Sequence, residues 1–174
     1  MDRIVADLTF DTETNGTPPS TGRYACWGMG SGAIGPVAVN EQGRILPAAL
    51  AEQLGDASGP LIVCAQIGNV NTGEIDPVGE ICEIAHRSGA WVHVDGAFGL
   101  WAAASPKSQH LTSGVELADS WATDAHKWLN VPYNSGLLFC TNPAAHRAGH
   151  LLARRHHLAW AGGDANRGVE LVDR

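Results

Sequence analysis

The chain of 174 residues has no apolar run approaching the roughly 18 residues that a membrane-spanning helix needs. Positive charge is also scarce, because 11 lysines and arginines stand against 18 aspartates and glutamates, a net charge of −7. This balance argues against a nucleic-acid-binding role. The first residues lack the basic-then-apolar order of a secretory signal peptide. Together these absences predict a cytoplasmic protein whose partners are neither membranes nor nucleic acids.

Several sequence signals of other functional classes are missing as well. The four cysteines form no Cys-x-x-Cys pair, which predicts buried, reduced thiols. The histidines form no His-x-x-x-His pair with carboxylate support, so no metal site is predicted. A G-x-G-x-x-G match at residues 30–35 has no strand before it and no helix after it, which argues against a dinucleotide site.

The middle of the chain alternates apolar strand patterns with helical ones. An apolar run at 61–65 predicts a strand buried on both faces. A helix should follow, with Asp76 as N-cap, Pro77 at its first position and Gly89 beyond its end. The next strand, at 91–94, should then pair with the first in parallel. Further patterns predict a helix at 47–54 and strands at 120–123 and 136–140. The fold class is therefore α/β, with a mainly parallel sheet flanked by helices.

Two residues at the predicted strand ends suggest a specific chemistry. Asp95 ends one strand, and Lys127 lies just past another. Ligands gather at the carboxyl ends of parallel strands. A lysine amine there can form an imine with the aldehyde of pyridoxal phosphate (PLP), and a carboxylate can keep the pyridine nitrogen protonated. The competing interpretation is a surface lysine and an aspartate that caps a turn.

Neighbouring residues fit the same hypothesis. His126 could donate to a phosphate, and Asp124 flanks the lysine on the other side. Small residues around Ala97 would let a flat ring lie against the backbone and a methyl group. The glycine-bounded loop 68–73 follows the first strand and could reach the cofactor ring or the substrate, although an ordinary strand-to-helix loop has the same composition.

Three segments, in this order and spacing, resemble the group II PLP-dependent decarboxylases, a family that includes glutamate, aromatic amino acid and histidine-type decarboxylases. They are NTGEIDP at 71–77, GAWVHVDGAFG at 89–99 and ADSWATDAHKWLNVPY at 118–133. The resemblance covers about residues 28–149. It implies part of the large domain of the fold-type I PLP-dependent transferase fold.

The resemblance also implies roles for individual residues. Lys127 would be the Schiff-base lysine and Asp95 the partner of the pyridine nitrogen. Ala97 would pack on the ring, while His126 and the Asp124 position would face the phosphate. This chain has Gly-Asn-Val at 68–70 where the family carries Gly-Thr-Thr. The ring-hydroxyl contact would then fall to Asn69, Asn71 or Thr72.

Family members are considerably longer than this chain. Residues 28–149 are the expected PLP-binding core, whereas segments 1–27 and 150–174 match no expected part of the family. This suggests a fragment. The family is homodimeric, with active sites that borrow residues from both subunits.

The sequence therefore predicts a PLP-dependent carboxy-lyase acting on an amino acid. Two alternatives stay open. One is a catalytically inactive, truncated remnant of such an enzyme, and the other is a different fold-type I activity, such as an aminotransferase, aldolase or desulfurase.

Overall fold

The computed structural model describes residues 36–57, 59–133 and 135–148. Helices and strands follow in the order α1 (Pro47–Gly55), β1 (Ile62–Gln66), α2 (Val78–Arg87), β2 (Trp91–Asp95), β3 (Ser120–Asp124), α3 (Ala125–Trp128) and β4 (Gly136–Cys140). Three short 3₁₀ helices, Leu100–Ala104, Gln109–Thr112 and Val115–Leu117, connect β2 to β3. None of the helices described is long and apolar enough to cross a bilayer. The predicted end segments, 1–27 and 150–174, lie outside the described residues.

The four strands form one sheet in the order β1-β2-β3-β4. β1 pairs with β2 and β2 with β3 in parallel, whereas β4 runs antiparallel to β3. The predicted α/β class and the parallel strand–helix–strand unit are confirmed. Because β1, β2 and β3 share one direction, their last residues, Gln66, Asp95 and Asp124, lie at the same edge of the sheet. This is the edge where the sequence predicts a ligand.

Helix α2 covers one face of this sheet. Its predicted apolar face is buried, through Val78, Ile81, Cys82 and Ala85. It packs with buried strand residues that include Val63, Ala65, Val92 and Val94. Gly89 takes a left-handed φ of 68°, and the next amide, that of Ala90, donates to the Ala85 carbonyl at 3.0 Å. The helix therefore ends where the sequence predicts, and β2 begins two residues after Gly89.

The predicted N-cap role of Asp76 is wrong. Pro77 occupies the cap position, and no side-chain bond caps the helix. The buried Asp76 carboxylate instead accepts the backbone N–H groups of Ile45 and Gln66, each at 2.7 Å. Desolvation raises the pKa of Asp76 despite these two bonds. The carboxylate turns inward because two converging amides satisfy both of its oxygens, and it ties β1 and residue 45 to the start of α2.

The prediction that β1 is buried on both faces is also wrong. Val63 and Ala65 are buried under α2, but Ile62 is 44% exposed and Cys64 is half-buried. The reason is position, since β1 is an edge strand of the described sheet. An apolar run alone cannot tell an edge strand from a central one.

The prediction that the cysteines are reduced thiols is only partly correct for the described residues. Cys82 and Cys140 are free, whereas Cys64 is disulfide-bonded. Cys64 lies on the half-buried face of the edge strand. Cys82, in contrast, is buried between α2 and the sheet.

Candidate active site at the carboxyl edge of the sheet

Asp95 is half-buried at the end of β2, and its side chain shapes the turn that follows. Its Oδ1 accepts the backbone N–H of Ala97 at 3.1 Å. In the strand register Asp95 lies opposite Ala122 of β3. Since side chains alternate along a strand, Asp95, Ala122 and Asp124 belong to one face of the sheet. The carboxylates of Asp95 and Asp124 therefore end neighbouring strands on the same face.

Lys127 lies in α3, the single helical turn that begins directly after β3. Its Nζ is 2.7 Å from Oδ2 of Asp124 and 3.9 Å from the ring centroid of Phe98. The side chain is only 27% exposed. Phe98 belongs to the turn after Asp95, so the amine contacts the same loop that carries the predicted pyridine partner. The Lys127 amine thus contacts the Asp124 carboxylate and the loop that follows Asp95, at the sheet edge where the sequence predicts the site.

Three hydrogen bonds fasten the loop after β2 onto the end of β3. The Gly96 amide donates to the Ala122 carbonyl at 2.8 Å, and the Thr123 hydroxyl donates to the Gly96 carbonyl at 2.9 Å. The indole N–H of Trp101 donates to the Asp124 carbonyl at 3.1 Å. These bonds fix the separation between the Asp95 loop and the strand that leads to Lys127.

The glycines near Ala97 serve the packing of two loops. A Cβ on Gly99 would lie 2.6 Å from the Ile67 carbonyl oxygen, and one on Gly68 would lie 2.9 Å from the Gly99 nitrogen. Gly68 also has a φ of +83°. Contact between the loops after β1 and β2 therefore requires glycine at both positions. The half-buried Ala97 stays a predicted ring contact.

The polar residues predicted in the loop after β1 lie at the same edge but also organise their own loop. Asn69 Oδ1 accepts the amides of Asn71 and Thr72 at 2.9 and 3.2 Å, and Asn69 Nδ2 donates to Gln66 Oε1 at 3.0 Å. The Thr72 hydroxyl donates to the Gln42 carbonyl at 2.8 Å. Their cofactor contacts remain predictions.

His126 packs beside the turn that leads into β4. Its ring centroid is 4.4 Å from that of Tyr133, and its Nδ1 accepts the Ser135 amide at 3.4 Å. This contact occupies one ring nitrogen and leaves Nε2 for a ligand. The predicted phosphate contact of His126 remains a prediction.

Two residues of the site were missed by sequence reasoning. Phe98 is not among the residues that the sequence predicts for the site, yet its ring lies under the Lys127 ammonium. Trp101 supports the backbone of Asp124 from a 3₁₀ helix that no sequence periodicity indicated. The Asp124–Lys127 pair had a usable signal, since residues three apart on a helical turn are neighbours.

A family model described as the pyridoxal-dependent decarboxylase conserved domain matches residues 25–149. The chain belongs to the pyridoxal-dependent decarboxylase family. The predicted resemblance is confirmed, and with it the α/β fold as a part of the fold-type I architecture. Asp95, Lys127 and the loop residues between and before them all lie within the matched region.

Relatives and solved structures agree with the family. Tyrosine/DOPA decarboxylase 5 of Papaver somniferum is 45% identical over 40% of this chain and 13% of its own length. Phenylacetaldehyde synthase of Petunia hybrida is 41% identical over 49% of this chain and 17% of its own. The crystal structure of Catharanthus roseus tryptophan decarboxylase in complex with L-tryptophan aligns with a TM-score of 0.58 and 32% identity, over 63% of this chain and 25% of that chain. The matched region is therefore a small part of each of these proteins.

The residues at the sheet edge fit pyridoxal phosphate by their chemistry. A half-buried carboxylate and a mostly shielded amine stand at the ends of neighbouring strands, joined by the loop that carries Ala97 and Phe98. Such a pair suits a cofactor with a basic ring nitrogen at one end and an aldehyde on the ring.

Proposed function

We propose that this chain binds PLP and forms the cofactor site of an amino-acid decarboxylase. The observation that carries the proposal is the placement of Asp95 and Lys127 at adjacent strand ends, linked by the contact between Lys127 Nζ and Phe98. When bound, PLP withdraws electrons from the α-carbon of an amino acid, which makes loss of CO2 possible. The family match and the relatives support decarboxylation as the reaction.

The roles of the chain's residues follow from their positions. Asp95 supplies a carboxylate that accepts a charge-assisted hydrogen bond from the ring nitrogen and keeps its proton in place. Lys127 supplies the amine that attaches the cofactor, gives way to the substrate amine and carries protons at Nζ. Ala97 offers a methyl group to the ring face. His126 and Asp124 border the phosphate, and Asn69, Asn71 or Thr72 meets the ring hydroxyl.

The wider context belongs to the same proposal. The substrate is a small molecule, an amino acid, and the relatives named for tyrosine, DOPA and tryptophan support an aromatic one. The complete enzyme is a homodimer in the cytoplasm. The homodimer agrees with the family resemblance and with apolar side chains left exposed near the site, among them Trp128 at 59% and Tyr133 at 81%.

The chain offers a sharp test because it has two lysines, Lys107 and Lys127. The purified chain is incubated with PLP and reduced with borohydride, and the pyridoxyl group is located by mass spectrometry. The adduct is expected on Lys127, with a visible absorbance band that Lys127→Ala abolishes. The exposed Lys107 is the matched control, and Lys107→Ala should keep both adduct and band. Equal labelling of Lys107 and Lys127 would contradict a specific PLP site at Lys127.

A second step separates the reaction classes. Release of CO2 from a panel of amino acids supports the decarboxylase. Formation of a keto acid without release of CO2 would indicate an aminotransferase instead of a decarboxylase. A Lys127 adduct without any turnover would identify an inactive remnant that keeps the cofactor site.

A further inference from the structure

His93 is a buried polar residue in the centre of the sheet, outside the site described so far. It lies on β2 two residues before Asp95, and its side chain is buried, with 2% of the residue exposed. Alternation along the strand places His93 and Asp95 on the same face, about 6.6 Å apart along the chain. The neighbouring residue of β3 in the register is Ser120.

One ring nitrogen of His93 belongs to a short hydrogen-bonded chain. The Trp91 indole N–H donates to the Ser120 hydroxyl oxygen at 2.8 Å, and His93 Nδ1 lies 2.8 Å from that same oxygen. An indole nitrogen can only donate. The Ser120 oxygen therefore accepts from the indole, and its own hydroxyl hydrogen donates to Nδ1 of His93. This places the ring proton of a neutral His93 on Nε2.

The other ring nitrogen of His93, Nε2, lacks the hydrogen bond that buried polar atoms usually make. Among the described residues, it is the one buried side-chain nitrogen or oxygen without a hydrogen-bond partner. A buried donor without an acceptor is unfavourable, so such an atom calls for an explanation. Burial lowers the pKa of His93, and the Asp95 charge acts on the same ring and raises it. Asp95 lies two residues further along β2 on the same face, and its Oδ1 already accepts the Ala97 amide.

We propose that His93 is a positioning residue: Nε2–H, which has no partner in the described structure, donates to the Asp95 carboxylate once that side chain rotates toward it, and the bond sets the orientation of the carboxylate toward the cofactor. This rests on the proposed function, because Asp95 matters there as the partner of the ring nitrogen. The donor chain runs from Trp91 through Ser120 and His93 to Asp95. With one carboxylate oxygen held by Ala97 and His93, the other is presented to the ring.

The first test needs no cofactor. Nitrogen-15 NMR of the full chain should show the His93 ring proton on Nε2, identified by its loss in His93→Gln. Removal of the acceptor in Asp95→Ala should shift this resonance, whereas Asp56→Asn, at an exposed position after α1, should not. A ring proton on Nδ1, or a resonance unmoved by Asp95→Ala, would overturn the proposal even if PLP binds to Lys127.

The second test uses two substitutions that each keep one nitrogen position of the ring. The amide of His93→Gln reaches the Nε2 position, whereas that of His93→Asn reaches only the Nδ1 position beside Ser120. His93→Gln should keep the PLP affinity of the unmutated chain, and His93→Asn should lose about tenfold, the loss expected for one hydrogen bond to a charged group. A purely structural role through Ser120 predicts the opposite order.

Urea unfolding of both variants checks that each is folded under the binding conditions. Failure of the unmutated chain to bind PLP would defeat the proposed function, and the NMR result would still decide whether His93 positions Asp95.

Discussion

Nζ of Lys127 lies 2.7 Å from Oδ2 of Asp124, three residues earlier at the junction of β3 and α3. The two side chains are 27% and 26% exposed, so water screens the pair. Such an ion pair contributes at most about 1 kcal/mol. In the proposed function, Nζ must leave this carboxylate before it can attack an aldehyde. The pair therefore holds the amine beside Phe98 and at the same time restrains its reaction.

The substitution Asp124→Asn should release that restraint. The rate at which Lys127 reacts with pyridoxal, which lacks the phosphate, should rise by up to about fivefold, while the free energy of unfolding changes by less than about 1 kcal/mol. Stopped-flow absorbance measures the first quantity and urea unfolding the second. Asp56→Asn removes an exposed carboxylate elsewhere and serves as control. An unchanged or slower rate in Asp124→Asn would show that the pair does not restrain the amine.

The contact between the loops after β1 and β2 should be sensitive to a single methyl group. Gly99→Ala would place Cβ 2.6 Å from the Ile67 carbonyl oxygen, which should destabilise the protein by about 1–3 kcal/mol and weaken PLP binding. Gly55→Ala, at the end of α1 with nothing within 4 Å, should instead stabilise by up to about 1 kcal/mol. Urea unfolding and PLP titration measure both. Equal stability of the two variants would mean that the loops do not touch.

Asp76 gives a prediction about pH. Its two backbone hydrogen bonds at 2.7 Å make Asp76→Asn destabilising by about 1–3 kcal/mol, because an amide nitrogen would face a backbone donor. Burial raises the folded-state pKa above 3.8. The folded state then binds the proton more tightly than the unfolded state. The Asp76 contribution to the free energy of unfolding therefore falls as pH rises from the unfolded-state pKa to the folded-state pKa.

The measurement is urea unfolding of the unmutated chain and Asp76→Asn at several values between about pH 4 and pH 6. The advantage of the unmutated chain should be largest at the acid end and should level off above the folded-state pKa. Ile45→Val, which keeps the backbone amide, is a control without a titrating group. If the stability advantage of the unmutated chain over Asp76→Asn grew with pH instead, the hydrogen bonds would lower the Asp76 pKa more than desolvation raises it.

The sequence predicted those parts of the molecule that depend on local pattern. Four strands, α1 and α2 follow from apolar runs and from the three- and four-residue spacing of residues such as Ile81 and Ala85. Parallel pairing then required Asp95 and the approach to Lys127 to meet at one edge, without knowledge of any contact. Chain connectivity thus determined the neighbourhood of the two predicted site residues.

The features that were missed depend on tertiary contacts. Asp76 has the sequence context of an N-cap, but the amides that draw it inward come from Ile45 and Gln66. No local signal indicated that Phe98 would lie under Lys127, since the contact spans the β2–β3 connection. Likewise, the unpartnered Nε2 of His93 emerges only once the strand register brings Ser120 to its other nitrogen.

The two free thiols of the described residues should differ strongly in reactivity. Cys82 is 1% exposed, and burial, followed by the charges of Asp119 and Glu116, raises its pKa to about 11. Cys140 is half-buried on β4. At about pH 8, roughly one Cys82 thiol in a thousand is ionised, so iodoacetamide should modify Cys140 first. Modification of Cys82 should require opening of the interface between α2 and the sheet.

A time course of alkylation, read by mass spectrometry of tryptic peptides, measures this order. In Cys140→Ser the rate at Cys82 should stay low in native buffer and rise steeply near the urea midpoint, together with the loss of helical signal. Cys82 labelling would then report on the integrity of the packing that holds β1 and β2 in register and so aligns their carboxyl ends. Rapid Cys82 labelling in native buffer would show that α2 opens locally, and the Asp95 edge would then rest on a less rigid support than the buried core implies.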